Sequence, residues 1–255
     1  MKDRSQSSLI RTKRSRVRRG SALRQTKWTA AKAVAALRHL GRKRNVDGMA
    51  RFGIRAREVF GVSKPKLDAL ARKIGKDHKL GLELWKTGIH DARLLGVLIS
   101  EPKSVTAAQM ERWVRDFDNW DVCDGTCCHL FVFAEPAWGK AFEWTRRTKE
   151  FEKRAGFALL AYLAVHDKTA GDAIYKKFLK TIEREAWDER NFVRKAVNWA
   201  LRCIGKRNIR LNRAAITSAE RIRRQDTKAA RWIAGDALRE LRSDAVRKRL
   251  RRMAG

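Results

Sequence analysis

Only three prolines, Pro65, Pro102 and Pro136, occur in 255 residues, and each falls beside a break in an otherwise helix-periodic chain. Ala, Leu, Arg, Lys and Glu dominate the stretches between them, and these residues lose little by entering a helix. No run alternates apolar and polar residues as a half-buried strand would, and no Asn-Gly or Asp-Gly hairpin is framed by such runs. The pattern predicts an all-α chain of about fourteen helices from Trp28 onward, among them 119–133, 149–166 and 189–204.

Several of these units share a pattern. Lys153-Arg154-Ala155-Gly156-Phe157, Val193-Arg194-Lys195-Ala196-Val197 and Ala230-Arg231-Trp232-Ile233-Ala234 each open with basic residues and continue small and aliphatic. Arg154 to Lys195 is 41 residues and Arg194 to Arg231 is 37. A period of about 40 with two helices per unit is the signature of HEAT-type repeats. Such pairs stack into a curved α-solenoid with a concave face. That face is the expected location of a basic groove, and the repeat alignment would place Arg154, Lys195 and Trp199 together along it.

Charge narrows the partner. Lys and Arg total 60 against 28 Asp and Glu, a net +32, which favours a polyphosphate partner, nucleic acid before an anionic membrane. Residues 1–27 hold ten Lys/Arg and one acid, so this expected basic tail carries +9 and the remainder +23 (32 − 9). The tail reads as a solvated segment or a nonspecific DNA tether, with residues 28–255 as a single repeat domain. No apolar run approaches the length of a membrane span, and no secretory core is evident. Four cysteines without a disulfide pattern suggest a reducing, cytoplasmic setting: nucleoid-associated in a bacterium, nuclear in a eukaryote.

Against this positive background, Trp120 and Asp124 stand out. They lie at i and i+4, on one face of any helix that contains them. A carboxylate there would repel a polyanion, so it is either structural or placed where positive charge must form. Cys123, Cys127, Cys128 and His129 match no established zinc spacing, and no metal site is expected. No phosphate-cradling glycine loop is present, so nucleotide hydrolysis has no visible machinery and no cofactor is implied. Asp188 is positioned to cap the helix after it. Trp85, Trp113 and Trp232 fit apolar helix faces as core residues.

The segments Leu84-Trp85-Lys86-Thr87-Gly88-Ile89-His90-Asp91-Ala92-Arg93, Asn119-Trp120-Asp121-Val122-Cys123-Asp124, Lys153-Arg154-Ala155 and Asp188-Glu189-Arg190-Asn191-Phe192-Val193 through Trp199-Ala200-Leu201-Arg202 occur in order. From about Phe52 to Leu241 the chain resembles the HEAT-repeat-like DNA alkylation repair glycosylases of the AlkD type. That resemblance implies a monofunctional, cofactor-free and monomeric enzyme. It would excise positively charged N3- and N7-alkylpurines (3-methyladenine, 7-methylguanine) from double-stranded DNA in base excision repair, without base flipping. It carries the catalytic aspartate onto Asp124, the cleft tryptophans onto Trp120 and Trp199, and the cleft arginine onto Arg154, as a phosphate holder. Phe52 stands where the family has an aromatic near the DNA, usually tyrosine, and Tyr162 replaces a frequent lysine. Lys195, Arg202, Lys206 and Arg207 would hold the duplex through its phosphates. Two other readings remain open: a catalytically silent DNA- or RNA-binding repeat protein, and a helical scaffold for acidic proteins.

Overall fold

The computed structural model describes residues 27–253. The expected tail lies outside them apart from Lys27. Fourteen helices are present: α1 (Ala30–Leu40), α2 (Lys43–Arg51), α3 (Lys64–Ile74), α4 (His78–Lys86), α5 (His90–Ile99), α6 (Ala107–Arg115), α7 (Trp120–His129), α8 (Ala137–Trp144), α9 (Glu150–His166), α10 (Asp172–Glu185), α11 (Asn191–Gly205), α12 (Ile209–Arg223), α13 (Lys228–Leu241) and α14 (Asp244–Arg252). No strand occurs among the described residues. The chain is a curved α-solenoid of HEAT-like helical repeats.

Starts are set by side-chain caps that satisfy the free N–H groups of a first turn. Thr29, Asp77, Thr106, Asn119, Asn208, Thr227 and Ser243 each accept a backbone N–H two or three residues on. The expected 119–133 helix is shorter, because Leu130 leaves the helical region and Phe131–Phe133 form a 3-10 turn.

Consecutive helices pair as α4/α5, α8/α9, α10/α11 and α12/α13, while α6 packs against α9. Helices α5, α7, α9, α11 and α13 pack side by side in one layer, and α10 and α12 are neighbours in the other. The core follows this stacking. One cluster runs from Trp85 to Leu241, a smaller one from Ala33 to Ile99, and Leu94 packs against both. Trp85 and Trp113 are core residues, stacked at 3.9 Å. Trp232 is not: it is 39% exposed, with the Arg194 guanidinium 5.3 Å from its ring.

Polar ties cross from each repeat to the next. Indole N–H groups of Trp85, Trp138 and Trp144 donate to Asp116, Asp167 and Glu111 at 2.8–2.9 Å. Arg154 meets the Phe192 carbonyl, 38 residues on, and Asn198 meets Asp236, also 38 on. The helix starts keep the spacing read from the sequence: α9 begins at Glu150, α11 at Asn191, 41 residues on, and α13 at Lys228, a further 37. Arg154 and Lys195 thus hold equivalent positions on α9 and α11, yet Arg154 is buried and Lys195 exposed. At Gly156 an added Cβ would fall 2.5 Å from the Thr145 backbone nitrogen. Only glycine there lets α9 lie against the end of α8.

Asp188 does not cap α11, whose N-cap is Arg190. It is buried and bonded by Lys153 Nζ at 2.9 Å and by Arg190. Burial alone would raise its pKa, but those donors outweigh it and hold the carboxyl at about 2. Lys153, also buried, reaches Glu185 at 2.8 Å as well. Removing the one cation between two buried acids is costly. Lys153→Ala is expected to lower stability by roughly 3 kcal/mol, whereas the exposed Lys176→Ala should change it by under about 0.5 kcal/mol. Equal urea midpoints for the two variants would show that the buried triad contributes nothing.

Candidate functional site

The site begins at the cap of α7. Asn119 Oδ1 accepts the backbone N–H groups of Asp121 and Val122 at 3.0 and 3.1 Å. Its Nδ2 is held by Asp118 Oδ1 at 2.7 Å and approaches His90 Nδ1 at 3.4 Å. This fixes Trp120 as the first helical residue, with Asp124 one turn later and Cys128 a further turn on. The three share one face.

Arg154 comes from the second turn of α9. Its Nε donates to Asp124 Oδ1 at 2.9 Å and its Nη2 to Asp124 Oδ2 at 2.7 Å, a bidentate pair. Nη1 donates to the Phe192 carbonyl at 2.6 Å, in the first turn of α11. One guanidinium thus joins α7, α9 and α11. Arg154 is 7% exposed and the Asp124 side chain 16%. Burial pushes the Asp124 carboxyl above its ordinary range, and the Arg154 charge opposes that shift. Burial also works against the charged guanidinium, but Asp124 outweighs it and raises the Arg154 pKa. In this geometry Arg154 is a carboxylate holder. Of its five N–H groups, three are spent inside the protein and two remain for another acceptor.

Trp120 donates its indole N–H to the Phe52 carbonyl at 2.9 Å. The Phe52 ring itself is 74% exposed, so backbone rather than ring meets the tryptophan. Gly53 follows with φ +79°, and a Cβ there would sit 3.0 Å from Phe192 Cζ. The Phe52–Gly53 turn therefore touches both α7 and α11 beside the Asp124–Arg154 pair. Asp91 helps fix the segment leading from this turn, accepting the backbone N–H groups of Phe60 and Val62 at 2.6 and 2.8 Å.

Further along the same helices lies an aromatic wall. Trp199 is half-buried and meets Tyr162 edge to face at 4.8 Å. Tyr162 lies near Cys128, and burial raises the pKa of both groups. The position where a lysine would have supplied charge instead supports Trp199.

The expected phosphate contacts diverge. Lys195 is exposed on α11, between Phe192 and Trp199. Arg202 is tied to Glu240, and Lys206 reaches the same carboxylate at 2.6 Å. Arg207 donates to the Ala164 and Asp167 carbonyls at 2.6 and 2.8 Å and lies 4.2 Å from the Tyr175 ring centroid. Of these four, only Lys195 has no acid or carbonyl partner among the described residues. Asp121 turns away from Asp124 to His90, 3.1 Å distant. It lines a separate cleft of about 450 Å³ with Lys64, Leu94, Gly125 and His129. Among the described residues, no three His, Cys, Asp or Glu side chains converge where an ion could sit.

Three of the contacts that shape the site carry no sequence signature: the Phe192 and Phe52 carbonyls, and the approach of Gly53 to Phe192. A backbone acceptor can be any residue, and only the left-handed φ at Gly53 leaves a trace in residue type.

The sequence profile described as DNA alkylation repair enzyme matches residues 33–241. The chain belongs to that family. A solved structure described as "A new family of proteins related to the HEAT-like repeat DNA glycosylases with affinity for branched DNA structures" is similar in fold. Its TM-score is 0.69 at 20% sequence identity, covering 84% of this chain and 95% of that one. No curated protein matches the sequence.

The bidentate pair can be measured directly. In a double-mutant cycle, Asp124→Asn and Arg154→Gln should couple by about 1–3 kcal/mol in unfolding free energy. Lys195→Gln paired with Asp124→Asn should couple by less than about 0.5 kcal/mol. A coupling near zero in the first cycle would mean that the pair does not form in solution.

Proposed function

We propose that this DNA alkylation repair family member is a monofunctional glycosylase that removes cationic N3- and N7-alkylpurines from duplex DNA. The observation that carries the reading is the Asp124 carboxylate, set one turn after Trp120 and held by Arg154 in a bidentate pair. An N3- or N7-alkylpurine already bears a positive charge, so its glycosidic bond needs no acid to break. The C1′–N bond gives its electron pair to the purine, which leaves neutral, and positive charge develops on the deoxyribose. A fixed carboxylate beside C1′ stabilises that charge and orients the water that adds there, its proton passing to Asp124 or solvent. The π faces of Trp120 and Trp199 favour the same cationic centre.

Lys195, exposed beside this face, is the side chain best placed to meet a phosphate. The two spare N–H groups of Arg154 can add a second contact without releasing Asp124. The relative's affinity for branched DNA, as its description states, supports DNA as the ligand. No step requires a cofactor, and the protein acts as a monomer.

A second reading has its own support. Both carboxylate oxygens of Asp124 are already engaged by Arg154, which suits a structural aspartate in a protein that binds DNA without cutting the glycosidic bond. Release of free N7-methylguanine from duplex DNA in EDTA separates the two. The glycosylase reading predicts release by the intact protein and at least a hundredfold slower release by Asp124→Asn, with duplex binding kept. Equal rates would remove Asp124 from the chemistry. Binding with no release by either form would establish the silent reading.

A further inference from the structure

Much of the positive charge expected in the groove is neutralised there by Asp124, Asp236 and Glu240. A large uncompensated share lies on the other layer of the solenoid. On α10 the residues Tyr175, Phe178, Leu179 and Ile182 face the core, which turns Lys176, Lys177 and Lys180 outward. On the adjoining α12, Leu211, Ala215, Ala219 and Ile222 face the core, leaving Arg213 exposed, with Arg224 at the C-terminal cap.

The acids of these two helices are each paired with other cations. Asp172 pairs with Arg210, Glu183 with Arg221, Glu185 with Lys153 and Arg184, and Glu220 with Arg242. Lys176, Lys177, Lys180, Arg213 and Arg224 have no acid within ion-pairing distance among the described residues. Their spacing makes two neighbouring rows. Lys176 to Lys180 is one turn of α10, Arg213 to Arg224 spans about 16 Å of α12, and packed helix axes lie about 8–10 Å apart.

We propose that this outer ridge binds a second DNA duplex, so that the protein holds one arm in its groove and another across α10 and α12. The inference rests on the DNA-binding reading above but assigns a different face. Charge complementarity to two rows of phosphates carries it. An anionic membrane is the weaker fit, because surface-seeking helices present large apolar side chains beside their cations. Among the described residues, α10 and α12 expose none: the large exposed apolar groups are Phe52, Phe133, Val165, Trp187, Trp232 and Met253.

The test compares a four-way DNA junction with a linear duplex of the same arm length. It uses the full chain and a variant combining Lys176→Gln, Lys180→Gln, Arg213→Gln and Arg224→Gln. These positions are exposed, and thermal unfolding checks that the fold is kept. The ridge predicts that the variant binds the junction about tenfold or more weakly while linear-duplex affinity changes less than about twofold. The slope of log K against log salt on the junction should fall by about 3–4, since each phosphate that is no longer neutralised removes about 0.9. Replacing Lys176 and Lys180 by arginine should keep junction affinity. Junction binding unchanged in the glutamine variant, or equal weakening on both DNAs, would overturn the ridge assignment alone. Weakened binding to phosphatidylserine vesicles with unchanged junction binding would make the ridge a lipid surface. Failure of the intact protein to bind either DNA would overturn the DNA reading and the ridge with it.

Discussion

A carboxylate can sit within a stack of helices only if a cation accompanies it, and here that constraint organises the centre of the molecule. Asp124 is nearly enclosed, and desolvation alone would favour its neutral form. Arg154 opposes this with two parallel hydrogen bonds and anchors its third donor on the Phe192 carbonyl. The same contact sets the register of α7, α9 and α11. Placing Arg154 requires α9 to approach α8 closely, which Gly156 permits. Placing Asp124 requires α7 to start at Trp120, which the Asn119 cap enforces. The charged pair and the repeat packing are therefore one arrangement.

Comparable ties recur along the solenoid. Lys153 sits between Glu185 and Asp188, Glu111 gathers Lys140, Trp144 and Arg147, and Glu240 gathers Arg202 and Lys206. Each joins neighbouring repeats through a buried or half-buried acid. Glu111 shows the effect on ionisation: burial raises its pKa, yet three donors bring it down to about 2. In a chain with 28 acids and a net charge of +32, such pairing places many of the acids where repeats meet and leaves lysines and arginines in excess outside.

The helices were legible because their periodicity, caps and prolines are local features. The repeat architecture was legible from spacing, and the fold comparison bears it out. The resemblance singled out Asp124, Trp120, Trp199 and Arg154, and the structure brings Asp124 and Arg154 into contact, with Trp120 one turn away and Trp199 on the neighbouring α11 wall. The partners of charged groups were not legible. Arg202 and Lys206 looked like phosphate ligands because sequence shows a cation but not Glu240, 38 and 34 residues away. The 41-residue offset between Arg154 and Lys195 matches the starts of α9 and α11, but equivalence in position did not carry equivalence in burial. Trp232 shows a related limit: an apolar face predicts burial only where another element covers it. The turn at Phe52–Gly53 was hidden because its contacts are made by backbone.

Arg154 opposes the loss of charge that burial would impose on Asp124. Carboxyl-carbon NMR of the free protein, titrated with acid in the intact chain and in Arg154→Gln, measures this without relying on activity. Asp124 should titrate at a higher pH in Arg154→Gln than in the intact protein, because burial then acts on it without the opposing guanidinium. The ionised fraction would then be lost at a higher pH as acid is added. An Asp124 resonance that titrates at the same pH in both proteins would contradict this role of Arg154.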